Sequence, residues 1–367
     1  MDPSLNPDPA SPSDSISFQP PDQSWSNLTL PTTANSIFGL VSIGFTPRIA
    51  HYIFQMYSRY KDHSCSSPEA INYDFLSFIH GHIIQVNLWT FSRLSNAEKM
   101  KKLGIRKEIS DAILDERFRG VFGTQSLEYW IEDTIRINYA TLLRLQDQVD
   151  DQETDLGYEG YLERCIVPES LSEAEDGYTT LYKALSSTEP LFLEDGTLDI
   201  SSLTSPRGND FNYFQSAIYL SPQRSVAENF RQYISIRCPY ASTLLLKINI
   251  PNALLVSLQS EELCYGEHWK QFIWHCKNKT PLPQHLRYLG RADLIKGHIC
   301  TKPPAQFARL EHTDLKTGVS KSDVFVLDDG EKGVQWCFNE DRFRGLMTGL
   351  RGGVHIEVFE PLSCVGI

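Results

Sequence analysis

The chain has 367 residues, 41% hydrophobic and 11% aromatic, with a formal net charge of −12. That length supports one large or two moderate cores, and the charge argues against a generally nucleic-acid-binding surface. No run of about 18 apolar residues reads as a membrane-spanning helix, and the opening MDPSLNPDPASPSDS lacks the basic start and apolar core of a signal peptide.

In chain order, residues 1–33 are rich in Pro, Ser and Asp and are expected to be disordered. Residues 34–147 read as a helical domain. Ile37, Leu40, Val41, Ile49, Ile53, Phe54 and Tyr57 supply the first apolar faces, broken at Gly44 and Pro47. Phe75, Phe78, Ile79, His82 and Ile83 supply another. Ser95 and Glu98 have capping-box spacing and open a helix interrupted at Gly104. Leu127 to Leu145 is the longest clean helix, with Trp130, Ile131, Ile135, Tyr139 and Leu142 along one stripe.

Residues 148–177 form an acidic linker, and residues 178–367 read as an α+β domain with a mixed, largely antiparallel sheet. Its hub runs from Gly208 to Pro251. Ala217 to Leu220 is a short strand, Ser221 and Pro222 carry the N-cap and first-turn signals of a helix, and Val226, Phe230, Tyr233 and Ile234 give that helix an apolar face. Leu244 to Ile250 alternates as a half-buried strand would. Trp269, Phe272 and Ile273 predict a packed helix, and Val334 to Phe338 and Val354 to Phe359 predict two late strands.

Eight cysteines (Cys65, Cys165, Cys238, Cys264, Cys276, Cys300, Cys337 and Cys364) are scattered without a CxxC pair or a Cys/His cluster. This predicts free thiols in a cytoplasmic compartment and no metal site. The nucleophile elbow, the phosphate-binding P-loop and the dinucleotide fingerprint are all missing from the sequence.

Charge is unevenly spread. From Glu128 to Asp176 there are 14 acidic residues against three arginines, whereas Arg93, Lys99, Lys101, Lys102, Arg106 and Lys107 face only Glu98 between positions 93 and 107. The basic segment is either a solvated face or a surface that tracks phosphates. Glu128, Glu132 and Arg136 share a helix face at i, i+4 spacing, with Asp133 beside them. They form either a surface ion-pair ladder or an acidic pocket for a cationic group.

The pattern YLxxQxxxAxxF (Tyr219 to Phe230), followed by a strand ending in Ile250-Pro251, resembles the central strand–helix–strand of the ADP-ribosyltransferase-like fold. That resemblance puts Tyr182-Lys183 on the first motif strand, Tyr219-Leu220-Ser221 on the second and Gln335 on the third. Lys183 then stands in place of the family's His or Arg, and Gln335 in place of its Glu. Stretches such as GFTPRIAHYIF, GIRKEISDAILDERFRGVFGTQSLEYWIEDTIRINYATL and GEHWKQFIWHCKN resemble the fungal arginine-containing cyclodipeptide synthases. This second resemblance implies an enzyme that condenses arginyl-tRNA with another aminoacyl-tRNA to a diketopiperazine, without a cofactor because the ester is already activated. The group's DDxxE motif has its nearest counterpart in Glu132-Asp133-Thr134-Ile135-Arg136, which lacks the last acid.

The implied roles are catalytic for Glu132, Asp133 and Tyr219, and substrate-binding for Glu128, Tyr182 and Gln335. Lys99, Lys101, Lys102, Arg106 and Lys107 would contact the tRNA. An NAD-using transferase and a non-catalytic binding protein on the same fold are the alternatives.

Overall fold

The computed structural model describes residues 31, 33–64, 74–86, 88–91, 93–150, 176–189, 199–205, 208–213, 215–347 and 354–363. Most of the expected disordered start and acidic linker, together with Cys65, Cys165 and Cys364, lies outside those residues. The described cysteines, Cys238, Cys264, Cys276, Cys300 and Cys337, are free thiols. No described helix is long and apolar enough to cross a membrane.

The described chain is α+β, with helices first and two sheets after them. The helices are α1 (Ile37–Ile43), α2 (Pro47–Ser64), α3 (Phe75–Gln85), α4 (Asn96–Leu103), α5 (Lys107–Ile113), α6 (Arg119–Phe122) and α7 (Leu127–Asp150). Ser95 and Glu98 form the capping box that starts α4, each satisfying the other's free amide. Gly104 ends α4 in the left-handed region at φ 79°, and a Cβ there would sit 2.2 Å from Ile49 Cγ1. The stripe Trp130, Ile131, Ile135, Tyr139 and Leu142 of α7 is buried in the same apolar core as Leu40, Phe45, Ile79 and Met100.

The later elements are β1 (Tyr178–Ser186), β2 (Thr204–Ser205), β3 (Ala217–Leu220), α8 (Arg224–Arg237), β4 (Thr243–Pro251), α9 (Asn252–Val256), β5 (Ser260–Leu263), α10 (Glu267–Asn278) and β6 (Leu294–His298). They continue as α11 (Pro304–Phe307), α12 (Leu315–Gly318), β7 (Val334–Asn339), α13 (Glu340–Met347) and β8 (Val354–Phe359). One sheet is antiparallel in the order β1-β4-β8, and the other runs β2-β3-β7-β6-β5 with only β5 and β6 parallel. Among the described residues one bridge joins the sheets: Tyr182 and Ser221 exchange both backbone hydrogen bonds, at 2.7 and 2.9 Å.

Two local expectations need correction. Ser221 does not cap α8; its hydroxyl accepts from the Gln223 amide and donates to the Val334 carbonyl, and α8 starts only at Arg224. Nor is β4 half-buried. It is the middle strand of its sheet, and Thr243 to Ile250 are buried on both faces. Leu244, Leu246, Ile248 and Ile250 each contribute about 1.5–3 kcal/mol by leaving water.

Helix α8 ties the halves together. Its Val226 and Tyr233, with Ile299, Phe325 and Leu327, belong to the same apolar core as α1 to α7. The Tyr233 hydroxyl donates to the Ile113 carbonyl at 2.8 Å. The helical segment is therefore packed onto the sheet half through α8.

Candidate functional site

A cavity of about 240 Å³ opens where α7, β1, β3 and α8 meet. It brings together Asp133, Tyr182, Tyr219 and Gln335, four of the residues singled out in the sequence. The Tyr182–Ser221 bridge explains much of this convergence. It pins the middle of β1 to the end of β3, and β3 pairs with β7, on which Gln335 lies.

Each polar group in the cavity has a definite engagement. The Tyr219 hydroxyl accepts from the Phe211 amide at 2.9 Å and donates to Asn212 Oδ1 at 3.2 Å, and burial pushes its pKa far above the ordinary tyrosine value. Tyr219 thereby fixes the loop that carries Asp210. Gln335 donates from Nε2 to Asp210 Oδ2 at 2.7 Å, Cys300 donates its amide to the same oxygen at 2.8 Å, and Lys277 pairs with Oδ1 at 3.0 Å. A carboxylate only accepts, so the Gln335 amide turns its NH₂ to Asp210 and leaves its Oε1 to other partners.

At the α7 end, Asp133 is held by two arginines at 2.9 Å each, Arg136 on one oxygen and Arg237 on the other. Arg136 also reaches Glu189 at 3.0 Å. The Arg237 guanidinium is fully buried against the Trp130 and Tyr233 rings, 4.9 and 4.5 Å from their centroids. Its Nε has no hydrogen-bond partner among the described residues.

Lys183 projects from β1 into the cavity and donates to the Tyr219 carbonyl at 3.3 Å. Burial lowers its pKa below the ordinary lysine value, against a smaller upward pull from Glu189. Burial raises the Glu189 carboxyl, with Arg136 pulling the other way.

The remaining expected residues lie elsewhere. Glu128 and Glu132 are half-buried on α7 but do not line the cavity, and Arg136 pairs with Asp133 and Glu189 rather than with them. Burial and the Glu128 charge raise the pKa of Glu132. Lys99, Lys101, Lys102, Arg106 and Lys107 do not line the cavity either. Lys101 and Lys102 are exposed, Lys107 pairs with Asp111, and Arg106 precedes α5 and donates to the Val41 carbonyl at 3.1 Å.

Sequence reasoning missed Arg237, Glu189 and Asp210. For Arg237 a signal existed: it continues the buried stripe Val226, Phe230, Tyr233 at the right spacing, and a cation on such a stripe demands a buried partner. Glu189 and Asp210 sit in loops that carry no such periodic signal.

Among the described residues, no three His, Cys, Asp or Glu side chains are placed to hold a metal ion. Comparison of the chain with protein-family models, curated proteins and solved structures finds no match.

Proposed function

We propose that the cavity is the acyl-transfer site of a tRNA-dependent cyclodipeptide synthase. The observation that carries this reading is Lys183, an amine at the cavity wall that donates to the Tyr219 carbonyl and has no carboxylate within ion-pair distance among the described residues, with burial lowering its pKa. Peptide-bond formation between two aminoacyl esters needs a base for the attacking α-amine and no external activation. Lys183 in its uncharged form, which burial favours, takes the proton as the amine attacks the ester carbonyl. It returns the proton to the departing ribose oxygen, and a second attack of the same kind closes the ring. Asp133 acts here as the anchor of Arg237 and Arg136, rather than as a free carboxylate for a substrate guanidinium.

The convergence of Tyr182, Tyr219 and Gln335 favours a second reading, an ADP-ribosyltransferase-like enzyme using NAD. Bond cleavage at the ribose builds positive charge that a carboxylate would stabilise. Gln335 and Lys183 offer none, which ranks this reading second.

Expression in a heterologous host with mass spectrometry of the extract tests the choice. A diketopiperazine that vanishes with Lys183→Met supports the first reading. NAD consumption by the purified chain, with no diketopiperazine, overturns it in favour of the second.

A further inference from the structure

The acidic and basic side chains of the cavity lining, Asp133, Glu189, Asp210, Arg237 and Lys183, divide unequally. Asp133 holds Arg136 and Arg237, Glu189 holds Arg136 and the Ser186 amide, and Asp210 holds Lys277, Gln335 and the Cys300 amide. Lys183 alone has no carboxylate within ion-pair distance among the described residues, and its one hydrogen bond is to the Tyr219 carbonyl. An ammonium in this cavity wall without a counter-ion is costly, which favours the uncharged amine. The same lining carries the aromatic side chains Tyr129, Trp130, Phe230 and Tyr233. The volume of about 240 Å³ exceeds the roughly 150 Å³ of a cavity that takes benzene, so size does not exclude a substituted ring.

We propose that Lys183 is a carbonyl-capturing lysine, and that the cavity takes up an uncharged aromatic aldehyde and holds it as an imine. The Nζ lone pair attacks the carbonyl carbon, and a proton passes from nitrogen to the oxygen. The carbinolamine then expels that oxygen as water, so one C=O and two N–H bonds become one C=N bond and H₂O. No oxidant or reductant is consumed. Keto acids are disfavoured, because Arg237, the other cation of the lining, already holds Asp133. This inference shares the uncharged amine with the proposed function but not its substrate.

The test treats the full wild-type chain with substoichiometric benzaldehyde and sodium cyanoborohydride at neutral pH, followed by peptide mapping. The expected result is a benzyl adduct on Lys183 several-fold above that on the exposed Lys101 and Lys102, absent in Lys183→Arg, with glyoxylate labelling Lys183 far less. Adducts spread evenly over surface lysines, or glyoxylate labelling Lys183 as well as benzaldehyde does, would overturn it. The readout is a mass on the wild-type chain, so misfolding of the variant does not obscure it. An adduct without any diketopiperazine removes the proposed function and leaves this inference standing; a diketopiperazine without an adduct does the reverse.

Discussion

Arg237 and Asp133 join the two halves of the molecule through one ion pair: Nη2 of the fully buried guanidinium lies 2.9 Å from Oδ2 of the carboxylate. The arginine ends α8 and the aspartate sits in the second turn of α7. Thr134 Oγ1 and two aromatic rings satisfy more of the guanidinium, so Asp133 supplies the charge that makes its burial tolerable.

Removing one partner is therefore expected to cost far more than removing both. Asp133→Ala leaves a buried cation uncompensated and should destabilise the fold by about 3–5 kcal/mol. Asp133→Leu with Arg237→Met should recover much of that loss, because the Trp130 and Tyr233 rings can pack against an unbranched apolar side chain. Urea denaturation of the single and double variants measures both. Equal losses in the two variants would show that the pair is not a coupled unit.

Lys183 gives a stability prediction with a definite sign. In the unfolded chain its amine keeps its proton up to about the ordinary value of 10.5, whereas in the folded cavity burial makes it release the proton at lower pH. Between those two values the unfolded state binds more protons, so wild-type stability rises with pH. Lys183→Met deletes the penalty. The variant should be more stable than wild type at neutral pH, and the difference should shrink as pH approaches 10.5. Thermal melts from about pH 7 to about pH 10 follow this directly, and a gain that grows with pH would refute it. The rate of the proposed diketopiperazine synthesis should also climb with pH as Lys183 loses its proton.

The sequence disclosed much of the scaffold and less of the site, for a physical reason. Ser95 with Glu98, the α7 stripe and the β3–α8–β4 unit are legible because capping and amphipathic periodicity act within a few residues. The burial of β4 on both faces depends on what packs against it, which no local pattern reports. The charged ladder on α7 is illegible for the same reason. Arg136 takes Asp133 one turn away and Glu189 53 positions away, instead of Glu132 at i−4. Tyr182, Tyr219 and Gln335 lie on strands that the sequence pattern marks and that do meet. The loop-borne partners that set their chemistry, Asp210 above all, leave no such mark.

Glu132 separates the expected acidic pocket from the observed cavity. Burial and Glu128 raise its pKa above 4.5, so the folded state holds its proton more tightly than the unfolded one. Its ionised form then detracts from stability at neutral pH, and the penalty fades as pH falls through the raised folded value towards 4.5. Glu132→Gln should gain about 0.2–0.5 kcal/mol at neutral pH, the usual size of a like-charge i, i+4 contact. No gain should remain at about pH 4. The same variant should leave diketopiperazine output unchanged, whereas Asp133→Asn should lower it through Arg237 and Arg136. A loss of product in Glu132→Gln would return the α7 acids to the reaction.

The basic face of α4 and α5 carries the last expectation. Lys101 and Lys102 are exposed at the end of α4, where cations also favour the helix dipole. Lys107 is held by Asp111. If this face binds tRNA phosphates, Lys101→Gln with Lys102→Gln should weaken tRNA binding and reduce the slope of log affinity against log salt by about one for each phosphate left unneutralised. Lys107→Gln should matter less, because its charge is already partly neutralised by Asp111. Filter binding of bulk tRNA between low and moderate salt distinguishes the cases. An unchanged slope in the double variant would make the segment a solvated helix face and leave the phosphate-binding surface to be sought nearer the mouth of the Lys183 cavity.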